Sequence, residues 1–139
     1  MNKCFVDTDV VIDLLSQRQP HFHFSALLFT FAEMGKLKLY TTPTVMVNTF
    51  YVLRKQIGNE AAKSALRKLR LLIHVIDSSE KVMDQSLNSS FNDFEDAVQY
   101  YTALNNNIPI ILTRNLKDYK NAKVLVQSPE MFLVTNGFI

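Results

Sequence analysis

A short apolar run at Cys4-Phe5-Val6 gives way at once to Asp7-Thr8-Asp9, and then to apolar residues at helical spacing through Leu15. The pattern predicts strand, turn and helix, the helix running from Thr8 to about Ser16 and ending in the polar Gln17-Arg18-Gln19-Pro20 turn. Pro20 is expected to open a second helix reaching Met34, with Gly35 as its stop. Phe24, Leu27, Leu28 and Phe31 line one face of that helix, and Phe22, Ala26 and Phe29 line another. A helix so apolar all round is either deeply buried or packed on another chain. The second is the expectation, since exposed aromatic patches mark contacts, and it implies a homodimer.

Leu37 to Thr41 reads as the second strand. Thr42-Pro43 then opens a third helix whose core face is expected at Met46, Phe50, Leu53 and Ile57, with Gly58-Asn59 ending it. A fourth helix, Glu60 to Leu71, turns Ala62, Ala65, Leu66 and Leu69 inward and leaves Lys63, Arg67, Lys68 and Arg70 outside. That basic face reads as solvated surface, although a positive helix beside an acidic site could hold a phosphate backbone. Ile73 to Ile76 is a third strand, and Ser79 caps a fifth helix to about Leu87. A sixth helix opens near Asn92-Asp93 and runs through Leu104 to the break at Asn105-Asn106-Asn107. Pro109-Ile110-Ile111-Leu112 is the most apolar strand, Val124 to Val126 an edge strand, and Pro129 opens a last short helix. Strands alternating with helices argue for an α/β fold: three α/β/α layers around a mostly parallel sheet of about five strands.

The 139 residues suit one domain spanning 1–139, with 47% apolar and 20% charged residues as in ordinary globular proteins. A formal charge of +2 permits nucleic acid as a partner without demanding it. Cys4 stands alone in the first strand, so no internal disulfide forms, and the composition suits a reducing cytoplasm. No signal peptide is visible, and no apolar run approaches the length of a membrane span, so no membrane association is expected.

Three places gather polar chemistry. Asp7, Thr8 and Asp9 follow the first strand; Asp93 and Asp96 share a face at the start of the sixth helix; and Thr113-Arg114-Asn115-Leu116-Lys117-Asp118 follows the most apolar strand. A single acid at a helix start is more simply a cap, favoured by the helix dipole. Acids brought together from distant segments repel unless a cation neutralises them, and oxygen ligands without a His or Cys cluster suit Mg²⁺ or Mn²⁺ rather than Zn²⁺. His21 and His23 lie in the aromatic helix and His74 in a strand, so none reads as a ligand.

With these residues in view, the chain resembles the PIN-domain family, including the VapC-type ribonuclease toxins of bacterial toxin–antitoxin pairs. The opening FVDTDVVIDLL, the segment DFEDAVQYYTAL and the later ILTRNLKDY are similar, in this order, to the family's motifs. The resemblance implies a Rossmann-like sheet between helices, a Mg²⁺ or Mn²⁺ site, hydrolysis of RNA phosphodiesters and a small antitoxin partner. Asp7 matches the first metal-binding acid, Asp96 that of the later helix start, with Asp93 in support, Thr113 the hydroxyl of the last motif and Asp118 a nearby acid. Lys55, Arg114 and Lys117 are the expected contacts to the RNA backbone. Asp9 stands where Asn is more usual, Asn48 where the third helix normally carries Glu, and Asn115 where a fourth acid follows Thr-Arg. A carboxylate and a divalent ion ~4 Å apart attract by roughly 8 kcal/mol at an effective dielectric of ~20, an upper bound before screening. Losing two such charges implies one weakly bound ion, with Asp118 in compensation.

Two other readings follow from the same residues. Asp7-Thr8-Asp9-Val10-Val11 also fits the nucleophile motif of haloacid-dehalogenase-like phosphatases, with Leu112-Thr113 like their second motif. In those enzymes the Thr precedes the last acidic pair, whereas here Asp93 and Asp96 come before Thr113. Asn48 and Asn115 motivate a third reading, a nucleic-acid-binding protein of weakened catalysis.

Overall fold

The computed structural model describes residues 2–119 and 122–139. Five strands, β1 (Asn2–Val6), β2 (Leu37–Thr41), β3 (Ile73–Val75), β4 (Ile110–Leu112) and β5 (Leu125–Gln127), form one sheet in the order β3-β2-β1-β4-β5. Every pairing is parallel; Phe5 of β1, for example, stands opposite Tyr40 on one side and Ile111 on the other. Parallel strands need crossovers, and these are the helices α1 (Thr8–Leu15), α2 (Phe22–Glu33), α3 (Pro43–Ile57), α4 (Asn59–Arg70), α5 (Glu80–Leu87) and α6 (Phe94–Asn105); α7 (Pro129–Thr135) follows β5.

Both faces of the sheet are covered, and the side-chain alternation of each strand divides its residues between two cores. Cys4, Val6, Leu37, Leu39, Ile110 and Leu112 face the core that takes in Leu28, Phe29 and Phe132. Phe5 and Ile111 face the core containing Tyr100, Ala103, Ile108 and Tyr119. No described helix is long and apolar enough to cross a membrane.

Helix starts follow local chemistry. Thr42, Ser79 and Ser128 cap α3, α5 and α7 by accepting the N–H groups of Val45, Val82 and Met131. Between α3 and α4 the chain turns at Gly58 with φ +85°, a left-handed conformation that favours glycine, and its N–H donates to the Arg54 carbonyl at 2.9 Å.

Several expectations are corrected. α2 opens at Phe22 rather than Pro20, with His21 in the cap position. The aromatic surplus of α2 is largely used inside the chain: Phe29 is a core residue and the Phe31 ring packs on Phe138 with centroids 4.7 Å apart. α3 is turned from its expected orientation, burying Val45, Thr49 and Leu53 and leaving Ile57 49% exposed. Thr49 tolerates the core because its hydroxyl donates back to the Val45 carbonyl at 2.7 Å. β5 begins one residue later than expected, at Leu125, and β3 ends one residue earlier, at Val75.

Candidate active site

β1 pairs with β2 on one side and β4 on the other, so chain segments leave the carboxyl edge of the sheet in different directions around β1. Open α/β sheets bind ligands at such a point. Asp7 is fixed there three times over. Its backbone N–H donates to the Leu112 carbonyl at 3.0 Å, its Oδ1 accepts the Thr8 N–H at 2.6 Å, and its Oδ2 accepts the Thr113 hydroxyl at 2.7 Å. Burial first, and then the Asp9 carboxylate, push the Asp7 carboxyl up to about 6 against the bonds from Thr113, Thr8 and Gln99 that favour its charged form.

The second acid arrives on α6. Asp93 is the cap of this helix, its Oδ1 accepting the Asp96 N–H at 3.0 Å, and Asp96 lies in the first turn. Tyr119, at the end of a short 3-10 helix (Leu116–Tyr119), places its hydroxyl 3.5 Å from Asp7 Oδ2 and 3.4 Å from Asp96 Oδ1. Asp7 and Asp96 therefore reach one point. Burial, followed by the fields of Asp7, Asp93, Asp118 and Glu95, raises the Asp96 carboxyl to about 7.

The remaining residues divide by placement. Thr113 is fully buried against Asp7, and its oxygen accepts the Asn115 N–H at 3.1 Å; Asn115 itself is exposed. Asp118 is exposed and acts on Asp96 through its charge. Asn48 does reach the site, where its Nδ2 donates to Glu95 Oε2 at 3.1 Å. Lys55 and Lys117 are exposed on α3 and the 3-10 helix. Arg114 is placed differently from the RNA contact expected of it: its guanidinium lies on the buried Asp13, and its N–H donates to Asp9 Oδ2 at 2.9 Å. Asp9 Oδ1 is buried without a partner among the described residues, and burial raises this carboxyl too.

Four contributors escaped the sequence reading: Glu95, Gln99, Asp13 and Tyr119. Glu95 accepts the Thr8 hydroxyl at 3.0 Å and the Gln99 amide at 3.5 Å on Oε1, besides Asn48 on Oε2. Asp13 within the apolar run Val10 to Leu15, and Gln99 on the buried side of α6, were the available signals, since a polar group among core positions needs a partner.

No three His, Cys, Asp or Glu side chains among the described residues form a ready ligand cage. Two carboxylates meeting at one point, with further acids around them, instead suit an ion that keeps several waters. Mg²⁺ is of that kind, held by one or two carboxylates together with substrate phosphate oxygens. The crowded acids and the unpartnered Asp9 oxygen fit such a cation, whose charge would relieve their mutual repulsion.

Ribonuclease VapC1 of Aquifex aeolicus (strain VF5) is 24% identical over 135 residues, covering 94% of this chain and 92% of that protein. The crystal structure of PAE2754 from Pyrobaculum aerophilum matches with a TM-score of 0.68 at 16% identity, over 99% of this chain and 91% of its own. A toxin–antitoxin complex from Klebsiella pneumoniae contains a chain matching with a TM-score of 0.68 at 20% identity, over 91% of this chain and 97% of its own. At these identities the solved structures bear on the fold alone. The family model described as the PIN domain matches residues 3–117, spanning the Asp7, Asp96 and Thr113 segments, and the chain belongs to the PIN domain family.

Proposed function

We propose that this chain is an endoribonuclease that hydrolyses RNA phosphodiester bonds with Mg²⁺ or Mn²⁺ at the Asp7–Asp96 site, and that it is the toxin of a toxin–antitoxin pair. The observation that carries the reading is the meeting of Asp7 and Asp96 at the Tyr119 hydroxyl, both carboxyls raised by burial first and then by the acids around them. Arg114, a cationic residue of the last motif, is bound to Asp13. The similarity to a named ribonuclease and to a chain of a toxin–antitoxin complex supports the class of reaction and a small antitoxin protein as partner.

Asp7 and Asp96 would hold the ion, which when bound activates water and stabilises the charge developing on the phosphoryl oxygens. Thr113 and the Thr8 N–H fix the Asp7 carboxylate in one orientation. Asp93 secures the first turn of α6 and thereby the position of Asp96. Asp9 and Asp118 deepen the negative potential. Lys55 and Lys117 would take the RNA backbone as mobile point charges.

Single-stranded RNA incubated with the protein should be cleaved in Mg²⁺ or Mn²⁺, spared in chelator, and spared by Asp7→Asn. Unchanged cleavage by that variant would refute the assignment. RNA affinity retained in a protein that binds neither ion would instead identify a nucleic-acid-binding protein that has lost catalysis, the reading motivated by Asn48 and Asn115. Growth arrest on expression, relieved by co-expression of a neighbouring short open reading frame, would test the toxin assignment.

A further inference from the structure

We propose that Glu95, hydrogen-bonded to the uncharged Asn48 of α3, supplies the third negative charge of the cation site. The proposal rests on the metal-dependent reading above and names a residue which that reading leaves out. Glu95 is neither a helix cap nor a solvated surface acid. Its side chain is partly buried and held from three elements: the Thr8 hydroxyl at the start of α1 (3.0 Å), the Asn48 amide of α3 (3.1 Å) and the Gln99 amide one turn along α6 (3.5 Å).

Each of these holders also belongs to the site. Thr8 gives its N–H to Asp7, Gln99 donates to Glu95 and favours the charged form of Asp7, and Glu95 acts electrostatically on Asp96. Asn48 meets Glu95 head to head, so a negative charge lies one hydrogen bond from the α3 side chain. Every one of these contacts donates to the carboxylate. Donors fix a carboxylate in place without cancelling its charge, which remains available to a cation.

A second observation points to a missing ligand. Gln99 is 2% exposed, its amide faces Glu95, and its Oε1 has no partner among the described residues. A buried carbonyl oxygen beside clustered acids calls for a donor, and the water shell of a bound Mg²⁺ or Mn²⁺ provides donors.

The test uses the full chain, without RNA, titrated with Mn²⁺ and followed by calorimetry. Glu95→Gln keeps the shape and an oxygen acceptor for Thr8, yet should weaken Mn²⁺ binding at least tenfold. In the double variant Asn48→Asp, Glu95→Gln the charge moves across the same hydrogen bond, now donated by the new amide, and Mn²⁺ affinity should return to within about threefold of the parent. A purely structural Glu95 would leave Glu95→Gln within twofold of the parent. That result, with Asp7→Asn still abolishing binding, would overturn the role of Glu95 and spare the metal-dependent reading. A parent protein that takes up no Mn²⁺ overturns both. If Glu95→Gln alone fails to fold, the double variant decides: restored affinity supports the proposal, and a folded double variant that does not bind Mn²⁺ overturns it.

Discussion

Arg114 grips Asp13 with two parallel hydrogen bonds, Nε to Oδ2 at 2.6 Å and Nη2 to Oδ1 at 3.1 Å, and the two partners are unequally buried, their side chains 30% and 1% exposed. The pair ties the loop after β4 to α1, beside the acids of the site. It also explains how α1 carries a charge among Val10, Val11 and Ile12. Fork-to-fork pairing fits guanidinium and not ammonium geometry, so Lys would not replace Arg here.

The inequality predicts an asymmetric response to mutation. Arg114→Ala leaves a buried carboxylate with no counter-charge and should destabilise the fold by about 3 kcal/mol. Asp13→Ala leaves a guanidinium that water can reach and should cost clearly less. Urea unfolding of the two variants measures the difference, and equal losses would contradict the burial argument.

Replacing Thr113 by Val removes the hydroxyl that orients Asp7 while nearly preserving volume. RNA cleavage should fall by roughly 10- to 100-fold, the range for residues that orient a metal ligand. Asp7→Asn should fall further still. The comparison is a single-turnover cleavage assay at saturating Mn²⁺, and a Thr113→Val variant as active as the parent would remove Thr113 from the site.

The raised carboxyls make stability depend on pH in an unusual direction. Asp7 at about 6 and Asp96 at about 7 both lie above the ordinary aspartate near ~3.9. Between those limits the folded chain binds more protons than the unfolded one, so the contribution of these acids to stability declines as pH rises. The metal-free protein should lose Tm from about pH 5 to about pH 8, and Asp96→Asn should lose less over the same interval. Identical pH profiles for parent and variant would show that Asp96 is not burdened in this way.

Metal removal follows from the same linkage. Ligands must be deprotonated to bind, so Mn²⁺ should raise Tm more at about pH 8 than at about pH 5. Thermal melts with and without chelator at the two pH values check this. A shift of equal size at both would place the binding at groups that do not titrate in that range.

Much of this molecule can be read along the chain. The apolar runs Cys4-Phe5-Val6 and Ile110-Ile111-Leu112 mark central parallel strands because both faces of such strands are buried, and Ser79, Asp93 and Ser128 mark helix starts by their own capping bonds. These are local effects, fixed by neighbours a few residues away. The order Asp7, Asp96, Thr113 was legible for a related reason, since each follows a strand or opens a helix whose place at the sheet edge is set by topology.

What periodicity could not assign is the partner of each side chain. Asp93 and Asp96 share a helix face on spacing alone, yet Asp93 turns back to cap α6 while Asp96 points at Tyr119. Glu95 lies in the first turn of α6, and α3, rotated to bury Val45, Thr49 and Leu53, sets Asn48 against it. Arg114 looked like an RNA contact until Asp13, distant in sequence, took it. Local sequence thus determined which elements form and where the strands end. The choice of partner across those ends was left to tertiary packing, because buried charges and amides settle against whichever complementary groups the folded helices bring within hydrogen-bonding distance.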